Sequence, residues 1–441
     1  MDVGWRSGCN KFKEGIFMKK FVGVIMLMAF LVMSVVANGA PAKVEISFLV
    51  TKPEIVTQFR KTFDAYTATH PNVTISTIPL SGQTIYEKLT SLYASGNAPT
   101  ITMVGGPEFT AFKDKFLNVT NTKFAKAAYD WSLRRTTING KIYAVPTTAE
   151  DIGIMYNKTV IEAATGHKFD PASIKSRKDL RELLQKISKT KYAPVQLTNI
   201  DWLLGSHMTS ILYADMSKDY DERQRILGEC AKGKFDFMHN NTFNGWMDTF
   251  DLLMSYNMHK GSPLGNTYED DQLAMAKNKV AFWVIGNYVY PNIIAMNPDA
   301  KVGIMPYPIS DNPGDYGNSE ITLTHSFFAI DGVQSSKSQQ AAAVDFFNWL
   351  LTTSKGQKSY IDTLVFTPVY KGFSVHPSNP LAQEIVSYMK KGKTLERMSD
   401  YFPAGITGQF GAVMQRYLGG VCTRKDVADS FKKYWLEMSS K

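Results

Sequence analysis

The sequence predicts an α/β protein with two lobes, each a mostly parallel sheet flanked by helices. Three observations support this fold class. The 441 residues exceed the size of one typical domain. Strand-like and helix-like patterns alternate from residue 44 to residue 104, which is the order of a parallel sheet covered by helices. No low-complexity linker interrupts the chain, so the lobes must be joined by strands that cross between them.

The N-terminus has the pattern of a signal peptide. Met18 and two lysines precede the apolar segment Phe21–Val36, and small residues follow it. Val35 and Ala37 fit the −3 and −1 positions, which places cleavage after Ala37. An uncleaved membrane anchor is the alternative, although the apolar segment is short for a membrane span. We interpret residues 1–17 as an upstream extension from a misplaced start and expect an exported chain.

Charge and cysteine content argue against several classes of partner. Without residues 1–37 the chain has 44 Lys and Arg against 38 Asp and Glu, and the basic residues form no long run. Nucleic acid is therefore not an expected partner. Cys230 and Cys422 remain, they lack the spacing of metal ligands, and whether they form a bridge stays open. No cysteine lies at the cleavage site, so we expect a free periplasmic protein without a lipid anchor.

The first part of the mature chain shows the alternation most clearly. Val44–Phe48 alternates between polar and apolar residues, as a strand does. The elements predicted next are a helix through Ile55, Phe59, Phe63 and Tyr66, a strand at Val73–Ile75, a helix through Ile85, Leu89 and Leu92, and a strand at Ile101–Val104. Ligands bind at the carboxyl ends of parallel strands. The loops Val50–Lys52 and Gly105–Phe109 are therefore candidate binding loops.

A stretch after residue 138 organises the rest of the chain. Asn139 with the following glycine is the strongest short hairpin signal, and the apolar run Ile142–Val145 comes next. A polar break that contains Glu150 and Asp151 separates this run from a second one at Ile152–Tyr156. The pattern predicts a strand that crosses from one lobe to the other. An ordinary hairpin with a solvated acidic turn is an equal alternative.

The remainder of the chain is predicted to be mostly helical. The elements are a helix capped by Ser176 with an apolar face at Leu180, Leu183, Leu184 and Ile187, a short strand at Ala193–Leu197, and helices around Trp246–Tyr256 and Ala341–Leu351. We assign residues 44–150 and about 292–323 to the first lobe. Residues 151–291 and about 324–441 then form the second lobe.

The sequence lacks the common catalytic and metal-binding motifs. It contains no HExxH pair, no GxSxG nucleophile elbow and no GxxxxGK[ST] phosphate-binding loop. Adjacent carboxylates occur at Glu150-Asp151 and Asp270-Asp271, but glycosidase carboxylates usually come from separated segments. A secreted hydrolase stays an alternative, and no cofactor or metal is predicted.

Aromatic and amide side chains cluster in the stretch Ala281–Ile293. It carries Trp283, Asn287, Tyr288 and Tyr290 around a glycine. Flat aromatic rings stack on the apolar C–H faces of sugar rings, while amides and carboxylates bind hydroxyl groups. Core packing is the alternative for each ring, and it is favoured for Trp283, which follows an apolar run.

Four sequence blocks resemble the solute-binding proteins of sugar ABC importers, the group that contains the maltose-, raffinose- and multiple-sugar-binding proteins. They occur in the order of that family between residues 44 and 395. The blocks are Asn139–Pro146 with Tyr156-Asn157-Lys158, Lys279–Trp283 with Gly286-Asn287-Tyr288, Phe346–Leu350 with Gly356-Gln357, and Phe366–Val369.

The resemblance implies two lobes that close on a sugar by hinge bending. Glu150 corresponds to a carboxylate between the lobes that binds sugar hydroxyls, and Asn287 to an amide donor. Tyr288 occupies a stacking position where the family often has Trp, and Trp202 corresponds to a second aromatic platform. The tyrosine at 288 and the threonines at 147 and 148 depart from the family pattern, which leaves the particular sugar open. The candidate ligand-binding residues are Thr51, Lys52, Glu108, Thr148, Glu150, Asp151, Asn199, Trp202, Trp283, Asn287 and Tyr288.

We therefore expect a monomeric periplasmic protein that captures a carbohydrate, an oligosaccharide above all, and performs no covalent chemistry. The resemblance implies delivery to the transmembrane subunits of an ABC permease with their ATPase, and contact with the membrane only through that permease. Three alternatives stay open. The same fold could bind another polar solute, the chain could be a secreted glycoside-processing enzyme, or it could serve a sensor without any role in transport.

Overall fold

A computed structural model describes residues 42–52, 55–324, 326–403 and 405–439. The predicted upstream extension and signal peptide, residues 1–37, lie outside the described residues. The described chain forms a five-stranded sheet, a six-stranded sheet and a two-stranded hairpin. Helices pack on both larger sheets, as the α/β prediction requires.

Residues 44–146 contain the predicted alternation of strands and helices. The elements are β1 (Val44–Leu49), α1 (Val56–Thr67), β2 (Val73–Ile78), α2 (Ile85–Ala94), β3 (Ile101–Val104), α3 (Gly106–Phe112), α4 (Lys123–Ala127), α5 (Asp130–Leu133), β4 (Thr137–Ile138), β5 (Lys141–Ile142) and β6 (Ala144–Pro146). Asn139 and Gly140 both have positive φ, at 50° and 74°, and they form the tight turn between β4 and β5. The predicted hairpin is therefore present, and the crossing to the next sheet lies beyond it.

The next part of the chain, up to residue 324, builds most of the second sheet and its helices. The elements are β7 (Glu150–Asn157), α6 (Lys158–Thr165), α7 (Arg177–Ile187), β8 (Ala193–Gln196), α8 (Met208–Ala214), α9 (Tyr220–Ala231), α10 (Asn241–Ser255), α11 (Tyr268–Ala276), β9 (Val280–Gly286), α12 (Tyr290–Met296), β10 (Val302–Met305) and β11 (Ile321–Thr324). The side chains of Asn157 and Ser176 cap α6 and α7 by accepting the backbone N–H groups of Val160 and Asp179.

The last part of the chain contributes to both sheets. The elements are β12 (Phe327–Ile330), α13 (Lys337–Thr352), α14 (Ser354–Lys358), α15 (Pro380–Lys390), β13 (Thr394–Glu396), α16 (Ile406–Leu418) and α17 (Arg424–Ser439). Ser336 and Gln339 form a capping box at the start of α13, which fixes where that helix begins.

The five-stranded sheet, with the helices packed on it, is the first lobe. Its strand order is β2-β1-β3-β12-β6, with β1 parallel to its two neighbours and β12 antiparallel to its own. Phe48 on β1 contacts Phe59 of α1 at a ring-centroid distance of 5.1 Å and Phe328 of β12 at 5.9 Å. These buried rings form the centre of the core between the sheet and its helices.

The six-stranded sheet is the centre of the second lobe, and β7 is its central strand. Strands β9, β10 and β11 all pair with β7 in the antiparallel direction. Only the outer pairs, β8 with β9 and β13 with β11, are parallel. Both sheets are therefore mixed rather than mostly parallel, because the strand that the chain enters after a crossing, β12 in the first sheet and β7 in the second, runs against its neighbours.

The predicted division of the returning segments between the lobes is wrong. Strands β10 and β11, which were assigned to the first lobe within residues 292–323, pair with β7 in the second sheet. Strand β12 belongs to the first sheet instead of the second, and α13 packs against β1. A short apolar run indicates a strand, but it carries no information on which sheet that strand joins.

The part of the chain that the structure describes passes between the lobes at three places. It leaves the first sheet between β6 and β7, and it returns between β11 and β12. After α14 it passes back to α15, where the Glu384 carboxylate accepts the Ile304 backbone N–H of β10 at 2.8 Å. The lobes are thus joined by crossing segments, as the sequence predicts.

Candidate functional site

A cavity of about 660 Å³ lies between the two lobes. Lys52 reaches it from the end of β1, Glu150 from the start of β7, and Asn287 from the end of β9. The described residues that line it are Lys52, Ile55, Gln58, Thr148, Glu150, Trp202, His207, Tyr268, Asn287, Tyr288, Pro291, Asn292, Ala295, Leu364, Val365, Phe366 and Asn379. Six of the eleven candidate ligand-binding residues are among them.

An ion pair forms one wall of the cavity. The Lys52 ammonium of the first lobe donates a hydrogen bond to the Glu150 carboxylate, the first residue of β7. Their side chains are 20% and 18% exposed, so both remain accessible from the cavity while most of their surface is covered. A partly buried carboxylate and ammonium can bind hydroxyl groups through charge-assisted hydrogen bonds.

Asp151 points away from the cavity into the second lobe. Its side chain is fully buried and accepts the Asn287 backbone N–H at 3.0 Å, while its own N–H donates to the Asn287 side-chain oxygen at 3.2 Å. Burial raises the pKa of Asp151 to about 8. Oδ2 has no hydrogen-bond partner among the described residues. Asp151 therefore orients Asn287 instead of lining the cavity.

Four rings form an aromatic wall, which we define as Trp202, His207, Tyr268 and Tyr288. Trp202 lies edge-on to the other three, at ring-centroid distances of 5.1 to 6.1 Å. The Tyr288 hydroxyl and His207 Nδ1 are 3.1 Å apart. Burial, together with the charges of Arg397 and Lys52, holds the pKa of His207 well below its ordinary value, so the imidazole is neutral. The wall presents apolar faces with polar edges.

The position of Trp202 depends on a close contact between backbones. It is followed by a wide helical turn, Leu203–His207, that packs on α16. A Cβ on Gly205 would overlap the Thr407 carbonyl, and a Cβ on Gly411 would overlap the Asp201 carbonyl. Glycine at both positions lets the turn approach α16 closely, which places the Trp202 ring, 38% exposed, on the cavity.

Trp283 and Asn199 lie behind the aromatic wall. Trp283 is fully buried in β9 and donates its indole N–H to the Thr198 hydroxyl at 2.8 Å. Thr198 in turn donates to the buried Asp271 carboxylate at 2.5 Å. The Asn199 amide donates to the Asn266 carbonyl at 3.3 Å. Trp283 and Asn199 therefore support the aromatic wall from behind. Neither is among the residues that line the cavity, although both were candidates for it.

The two predicted binding loops differ in their outcome. Lys52 lines the cavity, whereas Thr51 is not among its lining residues. Glu108 caps its own helix α3 by accepting the Gly105 backbone N–H at 3.1 Å, and it also lies off the cavity. Thr148 lines the cavity. Its hydroxyl also accepts the Thr367 backbone N–H at 2.9 Å, and this hydrogen bond ties the segment between β6 and β7 to residue 367.

Several lining residues were not selected from the sequence. Asn292 belongs to the aromatic stretch, and Phe366 opens the fourth block that resembles the sugar-importer proteins, so a signal was present for both. His207 and Tyr268 lie outside every such block. They reach the cavity through the packing of the 203–207 turn and of α11, which no local pattern indicates.

The cavity combines rings, amides and one ion pair, a set suited to a polar solute with apolar faces. Within the described ranges, no three His, Cys, Asp or Glu side chains come close enough to hold a metal ion. The helices of that part of the chain are all too short or too polar to cross a bilayer.

The chain is similar to curated proteins and to solved structures. The multiple sugar-binding protein of Streptococcus mutans is 22% identical over 77% of this chain and 78% of its own length. The binding protein MsmE of Bacillus subtilis, solved in an open conformation, matches 91% of this chain and 99% of its own with a TM-score of 0.71 at 16% identity. RafE of Streptococcus pneumoniae, solved with raffinose, matches 90% and 100% with a TM-score of 0.71 at 18% identity. These likenesses confirm the two-lobe fold.

The family assignment rests on a match that covers more than half of the chain. Residues 52–357 match the family described as bacterial extracellular solute-binding protein. The matched range contains α1 to α13, and with them the crossing at Glu150 and all four residues of the aromatic wall. The chain belongs to the family of bacterial extracellular solute-binding proteins.

Proposed function

We propose that this protein captures an oligosaccharide in the cavity between its lobes and delivers it to an ABC permease, without covalent chemistry. One observation carries the proposal: the aromatic wall and the Lys52–Glu150 ion pair line the same cavity. Rings can stack on the C–H faces of sugars while the ion pair and the Asn287 and Asn292 amides bind hydroxyls. Loss of either type of group would leave a site with much less preference for sugars.

The names of similar proteins support a carbohydrate as the solute. A curated relative is named a multiple sugar-binding protein, and another, 26% identical over 40% of this chain, is named for melibiose, raffinose and stachyose. Structural neighbours were solved with raffinose and with stachyose. These names support oligosaccharides of a few units. The cavity of about 660 Å³ extends beyond the four rings of the aromatic wall, which agrees with such a length.

The carboxylates of the cavity favour binding over hydrolysis. Glu150 is the only carboxylate among the described residues that line it, because Asp151 faces the core. Glycoside hydrolases of the common types place two carboxyl groups on either side of the scissile bond. A glycoside-processing enzyme would therefore lack its second group here.

Contacts between the lobes support closure around the solute. Arg134 of the first lobe lies over the Tyr220 ring of the second at 5.2 Å, and Arg135 lies over the Tyr401 ring at 5.1 Å. We call these four residues the interlobe contact. Nearby, a Cβ on Gly106 would lie only 2.7 Å from Asp400 Cβ, so glycine permits the approach of the two backbones. The lobes thus hold complementary groups for a closed state.

Export and delivery complete the proposal. The predicted signal peptide and the extracellular family agree with a protein that works outside the inner membrane. We propose that the closed form, as a free monomer in the periplasm, docks on the permease subunits. A sugar-dependent rise in ATP hydrolysis by the reconstituted transporter would distinguish an importer component from a protein that serves only a sensor.

A saccharide panel tests the proposal. Purified protein is incubated with melibiose, raffinose, stachyose, maltose, maltotriose, maltotetraose and chitin oligosaccharides, and with amino acids as a different polar solute. We expect at least one oligosaccharide to raise the melting temperature, and the rise should increase with the logarithm of the sugar's excess over Kd. Chromatography of the same mixtures should recover the sugar intact. Cleaved sugar, or a response to amino acids alone, would contradict the proposal.

A further inference from the structure

A second cavity of about 400 Å³ adjoins the one between the lobes. The two cavities share Val365, Phe366 and Asn379 as lining residues, so they meet along one edge. The residues that line only the second cavity include Tyr290, Ile294, Ile361, Asp362, Ser378 and Ala382. An aromatic ring, a carboxylate, a hydroxyl and the shared Asn379 amide line this cavity beside apolar side chains, a set similar to that of the first.

Helix α12 lies between the two cavities, and a different side of the helix lines each of them. Pro291 and Ala295, one turn apart, line the first cavity. Tyr290 and Ile294, also one turn apart and displaced by one residue, line the second. Tyr290 belongs to the aromatic stretch of the sequence but has no place in the aromatic wall. Its ring faces the adjoining cavity instead.

Val365 stands at the shared edge in a strained conformation. Its φ is +57°, a left-handed value that a β-branched residue rarely adopts, and its side chain is 39% exposed. Hydrogen bonds on either side hold it there: Leu364 N–H donates to the Ser359 carbonyl at 3.0 Å, and Phe366 N–H to the Tyr360 carbonyl at 3.1 Å. Strain of this kind persists where the surroundings impose it, and it is frequent at ligand sites.

We propose that the second cavity is an additional saccharide subsite, so that the ligand is a chain of at least three sugar units that passes over Val365. This inference rests on the proposed function. One end of the oligosaccharide lies against the aromatic wall, and its other end enters the second cavity beside Tyr290. The Asp362 carboxylate and the Ser378 hydroxyl bind hydroxyls there, and the Phe366 ring contacts both parts of the chain.

Two matched series of sugars test this subsite. Titration calorimetry measures Kd for melibiose, raffinose and stachyose, and for maltose, maltotriose and maltotetraose. Ser378 is exposed and lines the second cavity, so Ser378→Trp fills that cavity without disturbing the core. Ser255→Trp is the control, because Ser255 is an exposed serine of α10 that lines neither cavity. Asp362→Asn removes the charge without adding volume.

We expect the wild type to bind the tetrasaccharide of one series at least ten-fold more tightly than its disaccharide. Ser378→Trp should remove most of this gain and leave the disaccharide Kd within two-fold, and Asp362→Asn should remove part of it. Equal effects on every chain length, or no effect on any, would overturn the subsite while leaving the proposed function in place. Failure of the wild type to bind any oligosaccharide of the panel, the chitin oligosaccharides included, would overturn both.

Discussion

Glu150 and Asp151 are neighbours in sequence that face opposite surroundings. Side chains alternate along an extended strand, so only one of two successive carboxylates can face the cavity. Glu150 pairs with Lys52 on the cavity, while Asp151 is buried and holds the Asn287 backbone. The two residues thus allow the binding and the structural role of a carboxylate to be separated by experiment.

Glu150→Gln should weaken binding of the sugar found in the panel by about ten-fold or more. Hydrogen bonds from hydroxyls to a charged carboxylate contribute roughly 1.5–3 kcal/mol, and about 1.4 kcal/mol corresponds to ten-fold in Kd. The melting temperature of the empty protein should change little, because the glutamine oxygen can still accept from Lys52. Titration calorimetry and thermal unfolding measure the two quantities.

Asp151→Asn is the control for this experiment at pH 6. Asparagine keeps the oxygen that accepts the Asn287 N–H, so affinity should stay within about two-fold of the wild type. Equal weakening by both substitutions would mean that Glu150 has no special contact with the sugar. A large loss of stability in the empty Glu150→Gln protein would show that the ion pair is structural.

The Asp151→Asn substitution should also change how the stability of the folded protein depends on pH. The folded pKa of about 8 exceeds the unfolded value of about 3.9, so the folded protein binds more protons between these values. The contribution of the carboxyl group is therefore fully present below about pH 4 and is lost as the pH rises through 8. Burial and the nearby Glu384 and Glu150 carboxylates act in this direction.

Asparagine stays neutral throughout, so the melting temperature of the variant relative to the wild type should rise between pH 5 and pH 9. Thermal unfolding of both proteins in a series of buffers without sugar measures this difference. A constant difference across the range would mean that Asp151 is already ionised in the folded protein at pH 5.

At the scale of elements, β9 and the turn after it carry two aromatic residues with different roles. Every residue of β9 is buried, and Trp283 lies in its middle, whereas Tyr288 follows its end and reaches the cavity. Tyr288→Ala should weaken sugar binding about five-fold, since stacking on one ring contributes on the order of 1 kcal/mol. Trp283→Phe should mainly lower the free energy of unfolding, by about 1–3 kcal/mol, through the lost hydrogen bond to Thr198 and the smaller ring. Calorimetric titration that leaves Tyr288→Ala at wild-type affinity would reverse these roles.

The close contact between the 203–207 turn and α16 should depend on glycine at position 205. Gly205→Ala should destabilise the protein by about 1–3 kcal/mol, because the new Cβ overlaps the backbone of α16. It should also weaken sugar binding, since Trp202 moves with the turn. Gly228 of α9 is the matched control: a Cβ there meets no atom within 4 Å, so Gly228→Ala should stabilise by about 0.5–1 kcal/mol. Denaturant unfolding of both variants measures the sign of each effect, and equal signs would argue against the close contact.

Local patterns predicted the elements of residues 44–104 well because they report the immediate surroundings of each residue, but they did not predict β9 to β13, which lie in the part predicted to be mostly helical. The strand at Ile101–Val104 has the predicted bounds, and the strand from Val44 is one residue longer than predicted. The partners of a strand depend on distant residues instead: Val302 pairs with Asn157, and Phe328 with Met103. Four apolar residues in a row do not identify such a partner, so β10, β11 and β12 were assigned to the wrong lobes.

The same distinction applies to the site. Glu150, Asn287 and Tyr288 could be selected because they lie in the polar break and the aromatic stretch of the sequence, and the family resemblance assigns a role to each. His207 and Tyr268 could not, because they come together only through tertiary packing. That packing depends on the buried Asp271 carboxylate, which accepts hydrogen bonds from Thr198 and Asn266 and ties the loop before Trp202 to α11.

At the scale of the whole molecule, the interlobe contact should set the balance between open and closed forms. Arg134 is 48% exposed, and among the described residues its charged group reaches Tyr220 and Glu396, both of the other lobe. Its Nη1 lies 4.0 Å from Glu396 Oε2. In the proposed hinge motion these groups separate when the lobes open, so their attraction stabilises the closed form alone. A cation–π contact at an exposed site contributes about 0.5–1 kcal/mol.

Arg134→Gln should therefore weaken sugar binding about two- to five-fold, the factor that corresponds to about 0.5–1 kcal/mol. A ligand that binds the closed form gains affinity only as far as that form is populated, so the loss appears in Kd although Arg134 lies outside the cavity. X-ray scattering should show a larger radius of gyration for the empty variant than for the empty wild type, and saturating sugar should bring both to the same value. Arg225→Gln is the control, because Arg225 is similarly exposed but pairs only with Glu222 and Glu229 of its own helix. If the two substitutions give the same scattering profile and the same Kd, the contact between Arg134 and Tyr220 does not govern closure.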